Sequence, residues 1–192
     1  PRFMASGSKE RKDQIRLGFM TAIDIGDRSF VGGLLVTDRF GRPLEFQCTT
    51  PVKPNRTQEL LYGPTLVPFI LGELLGKALL DRVSVKPSLV MTSRAEMLQL
   101  RSKVDIPVIY DEAFLQAEQK TSVPDSMQLA DQQIRIGRQT FRTHENFAGD
   151  RSIVEQISQE ISDDANMHEP LERVGDALRE TMSTVSARPR VA

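Results

Sequence analysis

Apolar and polar positions alternate in a way that divides the chain into short elements. Residues Gln14 to Ile25 are mostly apolar and suit a strand, and Ser29 to Thr37 suits a second. The second contains Gly32-Gly33, which predicts a bend or a close backbone approach. Asp38 to Gly41 has Asp first and Gly last, the preference of a type I turn. From Pro43 to Thr50 the side chains then alternate: Leu44, Phe46 and Cys48 on one side, Glu45, Gln47 and Thr49 on the other. That period of two predicts a strand with one buried face, and the three strands together predict an antiparallel meander.

The pattern then changes to a helical one. Asn55 with Gln58 three residues on is a capping-box arrangement that opens a short helix, which Gly63-Pro64 is expected to interrupt. Thr65 can cap a second helix from Leu66 to about Leu80, with Pro68 in its first turn. That helix is apolar nearly all round, as in one packed between a sheet and another element, and Gly72 and Gly76 allow a neighbour's backbone to come close. Pro87 to Thr92 reads as a strand, Ser93 to Glu96 as a capping box opening a helix through Leu100, and Ile106 to Tyr110 as the next strand. Strand, helix and strand at this spacing predict a parallel pair. Ile134 to Phe141 suits a late strand, and Ser152 to Glu155 a capping box for a helix reaching about Ile161. Pro170 suits the first turn of a last helix, whose Leu171, Val174, Leu178, Met182 and Val185 form one stripe.

The predicted fold class is α/β: a three-stranded antiparallel meander continued by parallel strands with crossover helices, plus C-terminal helices. One domain is expected. Residues 1–13 would be a loose lead-in, 14–110 the α/β core, 111–133 a linker or excursion, 134–185 the strand and helices that complete the domain, and 186–192 a basic tail.

Composition narrows the function classes. The chain has 192 residues, 39% hydrophobic and 27% charged, which is enough for one folded core. A net charge of −1 supplies no strong basic field for holding long nucleic acid without sequence preference. A single cysteine, Cys48, excludes an internal disulfide framework and a Cys-rich zinc site, so a reducing cytoplasm is expected. No uninterrupted apolar run approaches the roughly 20 residues that would span a bilayer, and no membrane association is expected.

The stretch "IDIGDRSFVGGLLVTDRFGRP", in which an apolar strand ends in Asp24 followed by x-Gly, resembles the first hairpin of the ribonuclease H-like superfamily. It is most similar to the RuvC and YqgF resolvase-like branches, and also resembles the first phosphate motif of the actin and sugar-kinase group. "PNRTQELLYG" is similar to the helix that brings a Glu to the site in ribonuclease H. The resemblance implies a strand-end Asp24, with Glu59, helping to bind two Mg²⁺ ions that stabilise the attacking and leaving oxygens of a phosphodiester. It implies a final ligand at Asp163 or Asp164. The acid it implies at the end of the fourth strand is missing from "MTSRAE", where Ser93 reads as an N-cap.

Other candidates carry simpler readings. Gly26, Lys53 and Arg56 could hold a phosphate at the start of the first helix, or could be ordinary surface residues. Glu73 is expected to pair with Lys77 four residues on. His144-Glu145 and His168-Glu169 lack helical ligand spacing and read as surface residues. Cys48 reads as a small core hydrophobe. The C-terminal stripe reads as core packing or, if exposed, as a homodimer or protein-partner face. The expected function is thus a non-catalytic interaction or scaffold module with a degenerate ribonuclease H-like site. One alternative is a Mg²⁺-dependent nuclease with Asp24, Glu59 and Asp164 as ligands. Another is a nucleotide- or phosphate-binding module using Asp24, Gly26, Lys53 and Arg56.

Overall fold

A computed structural model describes residues 15–114 and 132–186. The expected lead-in, residues 115–131 of the expected linker, and residues 187–192 of the expected tail lie outside the described residues. The strands are β1 (Arg16–Asp24), β2 (Phe30–Asp38), β3 (Pro43–Cys48), β4 (Leu89–Thr92), β5 (Val108–Asp111), β6 (Gln133–Ile136) and β7 (Gln139–Thr143). The helices are α1 (Arg56–Arg82), α2 (Ala95–Lys103, of 3₁₀ type), α3 (Asp150–Ser158) and α4 (Glu169–Ser186). One sheet takes all these strands in the order β3-β2-β1-β4-β5-β7-β6. β3, β2 and β1 pair antiparallel, β1, β4 and β5 pair parallel, and the β6–β7 hairpin joins β5 antiparallel. The architecture is therefore the predicted one, an antiparallel meander extended by parallel strands. The one strand expected between Ile134 and Phe141 is a hairpin, turning at Gly137 with φ of 56°.

Each face of the sheet carries its own core. Met20, Leu34, Val36 and Val90 meet Ile70, Leu71, Leu75 and Leu79 of α1 on one face. Leu17, Phe19, Leu35 and Met91 meet Val154 of α3 and Leu171, Val174 and Leu178 of α4 on the other. The glycine pair in β2 explains how both layers fit. A Cβ on Gly32 would stand 3.2 Å from Leu75 and Leu79, and one on Gly33 would stand 3.0 Å from Val174 and Leu178. Because neighbouring residues of a strand face opposite sides, two adjacent glycines admit one helix on each side.

α1 comprises the two helical segments expected there, joined through a turn. The Asn55 capping box forms: Asn55 Oδ1 accepts from Gln58 N at 2.9 Å, and Asn55 N donates to Gln58 Oε1 at 3.0 Å. Gly63-Pro64 interrupts the helix as expected: the Arg56–Tyr62 segment ends at Gly63, whose φ of 52° and ψ of −127° are not helical. A 3₁₀ turn, Gly63–Thr65, follows, and Thr65 caps nothing, its hydroxyl donating to the Tyr62 carbonyl at 2.7 Å. Phe69–Gly76 is wound as π-helix, an arrangement that residue periodicity does not announce. Gly72 and Gly76 pack against α2, where a Cβ on Gly72 would lie 3.1 Å from the Leu100 nitrogen. Glu73 pairs with Lys103 of α2 at 3.2 Å, not with Lys77, which pairs with Asp81. The expectation that no stretch is apolar enough to span a bilayer also changes. By length and composition alone α1 would suffice, although Ile70, Leu71, Leu75 and Leu79 pack on the sheet.

Three local readings are corrected by tertiary contacts. Ser93 does not cap α2; its side chain is buried and its hydroxyl bonds to that of Thr21. α3 starts at Asp150, ahead of the capping box expected at Ser152, because Asp150 is held by Arg101 through bonds of 2.7 and 3.0 Å. The Leu44–Phe46 face of β3 is half exposed, since α4 lies over β1 and β2 and leaves the edge strand uncovered. Cys48 on that face is half-buried and packs against the edge of the core. The stripe on α4 is spent on the fold: Leu171, Val174 and Leu178 are buried, while Val185 is exposed.

Candidate functional site

A cleft of about 820 Å³ opens at the C-terminal ends of β1 and β4, with α4 as its far wall. Its position follows from register. β4 ends at Thr92, opposite Met20, so Thr21 to Asp24 run on past their parallel neighbour and form a ledge. The floor is neutral: the buried hydroxyls of Thr21 and Ser93 bond to each other where the two strands part. The main chain then turns away through Thr92, whose Oγ1 accepts from Arg94 N at 3.1 Å. The Arg94 guanidinium reaches back to Glu96 at 3.1 and 3.3 Å and to the Ala22 carbonyl at 3.5 Å.

Three carboxylates stand on the rim, Asp24 from β1 and Glu172 and Asp176 from α4. Each is engaged close to home. Asp24 Oδ1 accepts from Gly26 N at 2.8 Å, closing a turn onto its own strand. Asp176 accepts from Arg179 at 2.9 Å, and Glu172 lies 3.4 Å from His168 Nε2. A Cβ on Gly175, between them, would touch the Arg179 guanidinium, whose Nη1 would stand 3.4 Å away. Among the described residues no three His, Cys, Asp or Glu side chains stand close enough to hold a metal ion. The rim acids as arranged do not fit a two-metal centre, which needs several converging oxygens to match the charge of a hard cation.

Behind the α4 wall lies a pair that the sequence reading passed over. Asp111, at the end of β5, is fully buried, and its Oδ2 lies 2.8 Å from His168 Nδ1. Asp111 Oδ1 accepts from Ala113 N at 3.0 Å, and the His168 ring stacks on Phe114, itself part of the cleft wall, with centroids 4.4 Å apart. The signal existed: "IPVIYD" is an apolar strand ending in Asp, the same pattern that singled out Asp24. His144 is no surface residue either. It is buried, its Nδ1 accepts from Asn146 N at 3.1 Å, and burial lowers its pKa below the ordinary histidine value.

The other residues singled out by sequence gather beside the cleft, around the β1–β2 turn. Gly26, Asp27 and Arg28 are consecutive left-handed residues with φ of 88°, 50° and 55°. The two strained side chains are anchored: Asp27 pairs with Lys53, and Arg28 with Glu59 at 3.0 Å. Arg56 bonds Glu59 as well, at 3.1 Å, and the hydrogen bonds from Arg56 and then Arg28 hold the Glu59 carboxyl below the usual carboxylate range. Lys53 thus holds the turn at Asp27, and Glu59, shared by Arg28 and Arg56, ties the turn to α1, with Gly26 at the start of the turn. Asp24 meets the turn through the Gly26 hydrogen bond, whereas Glu59 faces Arg28 and Arg56 and does not line the cleft. Asp163 and Asp164 stand exposed on the turn before α4. Asp164 N donates to Ser162 Oγ at 3.4 Å, in a connection that meets the β2–β3 turn through the Arg39–Glu160 ion pair at 3.3 Å.

No family model matches the chain, and no curated protein does. Among solved structures it is similar to human ENDOV, at 11% identity over 91% of this chain and 87% of that one, with a TM-score of 0.47. It is also similar to Ciona intestinalis endonuclease V in complex with an inosine-containing 24mer DNA, at 8% identity over 89% and 87% of the two chains, with a TM-score of 0.45. The Argonaute of Marinitoga piezophila, in complex with a 5′-OH guide RNA, is similar over 78% of this chain and 25% of that one, at 14% identity and a TM-score of 0.37. In strand order and pairing, this chain has the ribonuclease H-like arrangement: a meander β3-β2-β1 extended in parallel by β4 and β5.

Proposed function

We propose that the chain is a non-catalytic interaction module that keeps a ribonuclease H-like cleft as a binding surface. One observation carries this reading: the floor, where β1 and β4 part, is closed by the Thr21–Ser93 hydroxyl pair and contributes no carboxylate. Hydroxyls joined to each other offer a ligand neutral, weak hydrogen-bonding groups instead of the negative charge that activates a metal-bound water. The rim mixes Arg94 and Arg179 with Asp24, Glu172 and Asp176 around apolar Ile23, Leu171 and Met182, a lining suited to a ligand with both polar and apolar parts.

The experiment is a titration of the intact chain with Mn²⁺ and Mg²⁺ while thermal unfolding is followed, together with incubation on single- and double-stranded DNA and RNA. A non-catalytic module keeps its melting temperature as metal is added and leaves every substrate intact. A metal-dependent rise in melting temperature by mass action, with cleavage that Asp24→Asn abolishes, sinks this reading. Such a result would establish the nuclease alternative, which one observation favours, the presence of Asp24, Glu172 and Asp176 in a single cleft.

A further inference from the structure

The edge strand β3 is arranged to pair with a copy of itself. Thr49 N donates to the Gly32 carbonyl at 2.9 Å, and Gln47 and Glu45 lie opposite Leu34 and Val36. In an antiparallel ladder, main-chain groups point alternately to the two sides of a strand, so the odd-numbered residues bond β2. The N–H and C=O groups of Leu44, Phe46 and Cys48 then point outward, and the outward Cys48 carbonyl does meet Arg82 Nη1, at 3.1 Å. Among the described residues no strand pairs with this side of β3. The side chains of the same three residues project from the face that α4 leaves uncovered, where Leu44 is 47% and Phe46 38% exposed.

Natural sheets guard such an edge with lysines, prolines or bulges. Here the segment from Leu44 to Cys48 has no lysine, and its most exposed side chains are apolar. Pro43 and the register shift at Val36/Thr37 both fall at its start.

We propose that β3 is a homodimerisation edge, paired antiparallel with β3 of a second copy about a twofold axis through Phe46. That register sets Phe46 opposite the second copy's Phe46 and Leu44 opposite its Cys48. The outward main-chain groups of Leu44 and Phe46 and the Cys48 N–H become paired, the Cys48 carbonyl accepts from the second copy beside its bond from Arg82, and the exposed apolar side chains cover one another. On the opposite face Glu45 meets Gln47, so no like charges are opposed. Shifting the axis to Glu45 would set two carboxylates face to face, which disfavours that alternative. The joint is short, which places the dimer in the weak, reversible class.

Sedimentation of the full chain at roughly 100 μM, where a micromolar interface is filled, tests the proposal. The chain should sediment as a dimer, and Phe46→Glu, which sets two carboxylates face to face on the axis, as a monomer with unchanged circular dichroism. A second variant reads the register directly. Leu44→Cys should form a covalent dimer with the second copy's Cys48 under copper–phenanthroline oxidation, because the paired Cα atoms would lie about 5.5 Å apart, within disulfide reach. A chain that stays monomeric at this concentration overturns the proposal. So does a dimer that survives Phe46→Glu, or a Leu44→Cys variant that does not cross-link.

Discussion

Asp111 and His168 lie 57 residues apart in sequence, and Asp111 Oδ2 stands 2.8 Å from His168 Nδ1, joining the end of β5 to the residue just before α4. Because Asp111 is fully buried, this bond fixes where the α4 wall of the cleft begins. His168→Ala would leave one carboxylate oxygen in the interior without its partner, at a cost of about 1–3 kcal/mol. Asp111→Asn keeps the shape and can still accept from Ala113 N, so it should lose less. Urea unfolding of the two variants measures the difference, and hydrogen exchange should be faster in the first turns of α4 in His168→Ala.

A larger loss is expected where a buried charge is stranded. Arg101 grips Asp150 at 2.7 and 3.0 Å, donates to the Val104 carbonyl at 2.6 Å and lies 4.0 Å above the Phe147 ring. Asp150→Ala removes the only carboxylate bonded to Arg101 among the described residues and should destabilise the fold by about 3–5 kcal/mol. If the pair acts mainly as a match of two buried charges, Arg101→Met combined with Asp150→Ala should cost less than the sum of the single changes. A double-mutant cycle by chemical denaturation gives the answer.

Two glycines should respond differently to alanine. At Gly33 the added methyl would press on Val174 and Leu178 at 3.0 Å, inside a core with no room to give, for a loss of about 1–3 kcal/mol. At Gly26 no atom lies within 4 Å, and only the φ of 88° opposes alanine, which should cost about 1–2 kcal/mol. Helix packing against β2 should loosen in Gly33→Ala alone, visible as altered methyl resonances of Val174 and Leu178.

Stability should fall on mild acidification because of His144. Burial lowers its pKa in the folded chain, so between the folded and unfolded values the unfolded chain holds more protons. The stability His144 contributes is therefore complete above about pH 6.5 and is lost as pH drops towards the folded value. Protonation also removes the Nδ1 lone pair that accepts from Asn146 N. Urea midpoints between pH 7.5 and 5 should decline in the parent chain, with a shallower slope in His144→Gln. An equal slope in both would show that other groups govern this range.

Local pattern was enough for most of the elements and for their order. The alternation after Pro43, the Asn55 box and the two short apolar runs at Leu89 and Val108 report backbone preferences that act over a few residues, so β3, α1, β4 and β5 were readable without contacts. The Gly32-Gly33 pair carried its meaning in the same way, as a demand for closeness whose partners were unknown. What could not be read were choices made between distant residues. Ser93 has the chemistry of a cap, yet Thr21 competes for its hydroxyl 72 residues away and wins because both are buried where two strands part. Glu73 takes Lys103 over the nearer Lys77 because α2 packs alongside the π-wound segment. Leu44 and Phe46 show the period of a buried face, yet whether anything covers that face depends on how far α4 reaches across the sheet. The acids at the cleft are the clearest case. Asp24 was visible as a strand end, but the acids beside it, Glu172 and Asp176, come from a helix whose place on the sheet is set by the packing of Leu171, Val174 and Leu178. Hydrogen-bond and helix preferences act locally and are written in short windows of sequence. The convergence of side chains on one site is a property of the packed chain, decided by which apolar faces meet.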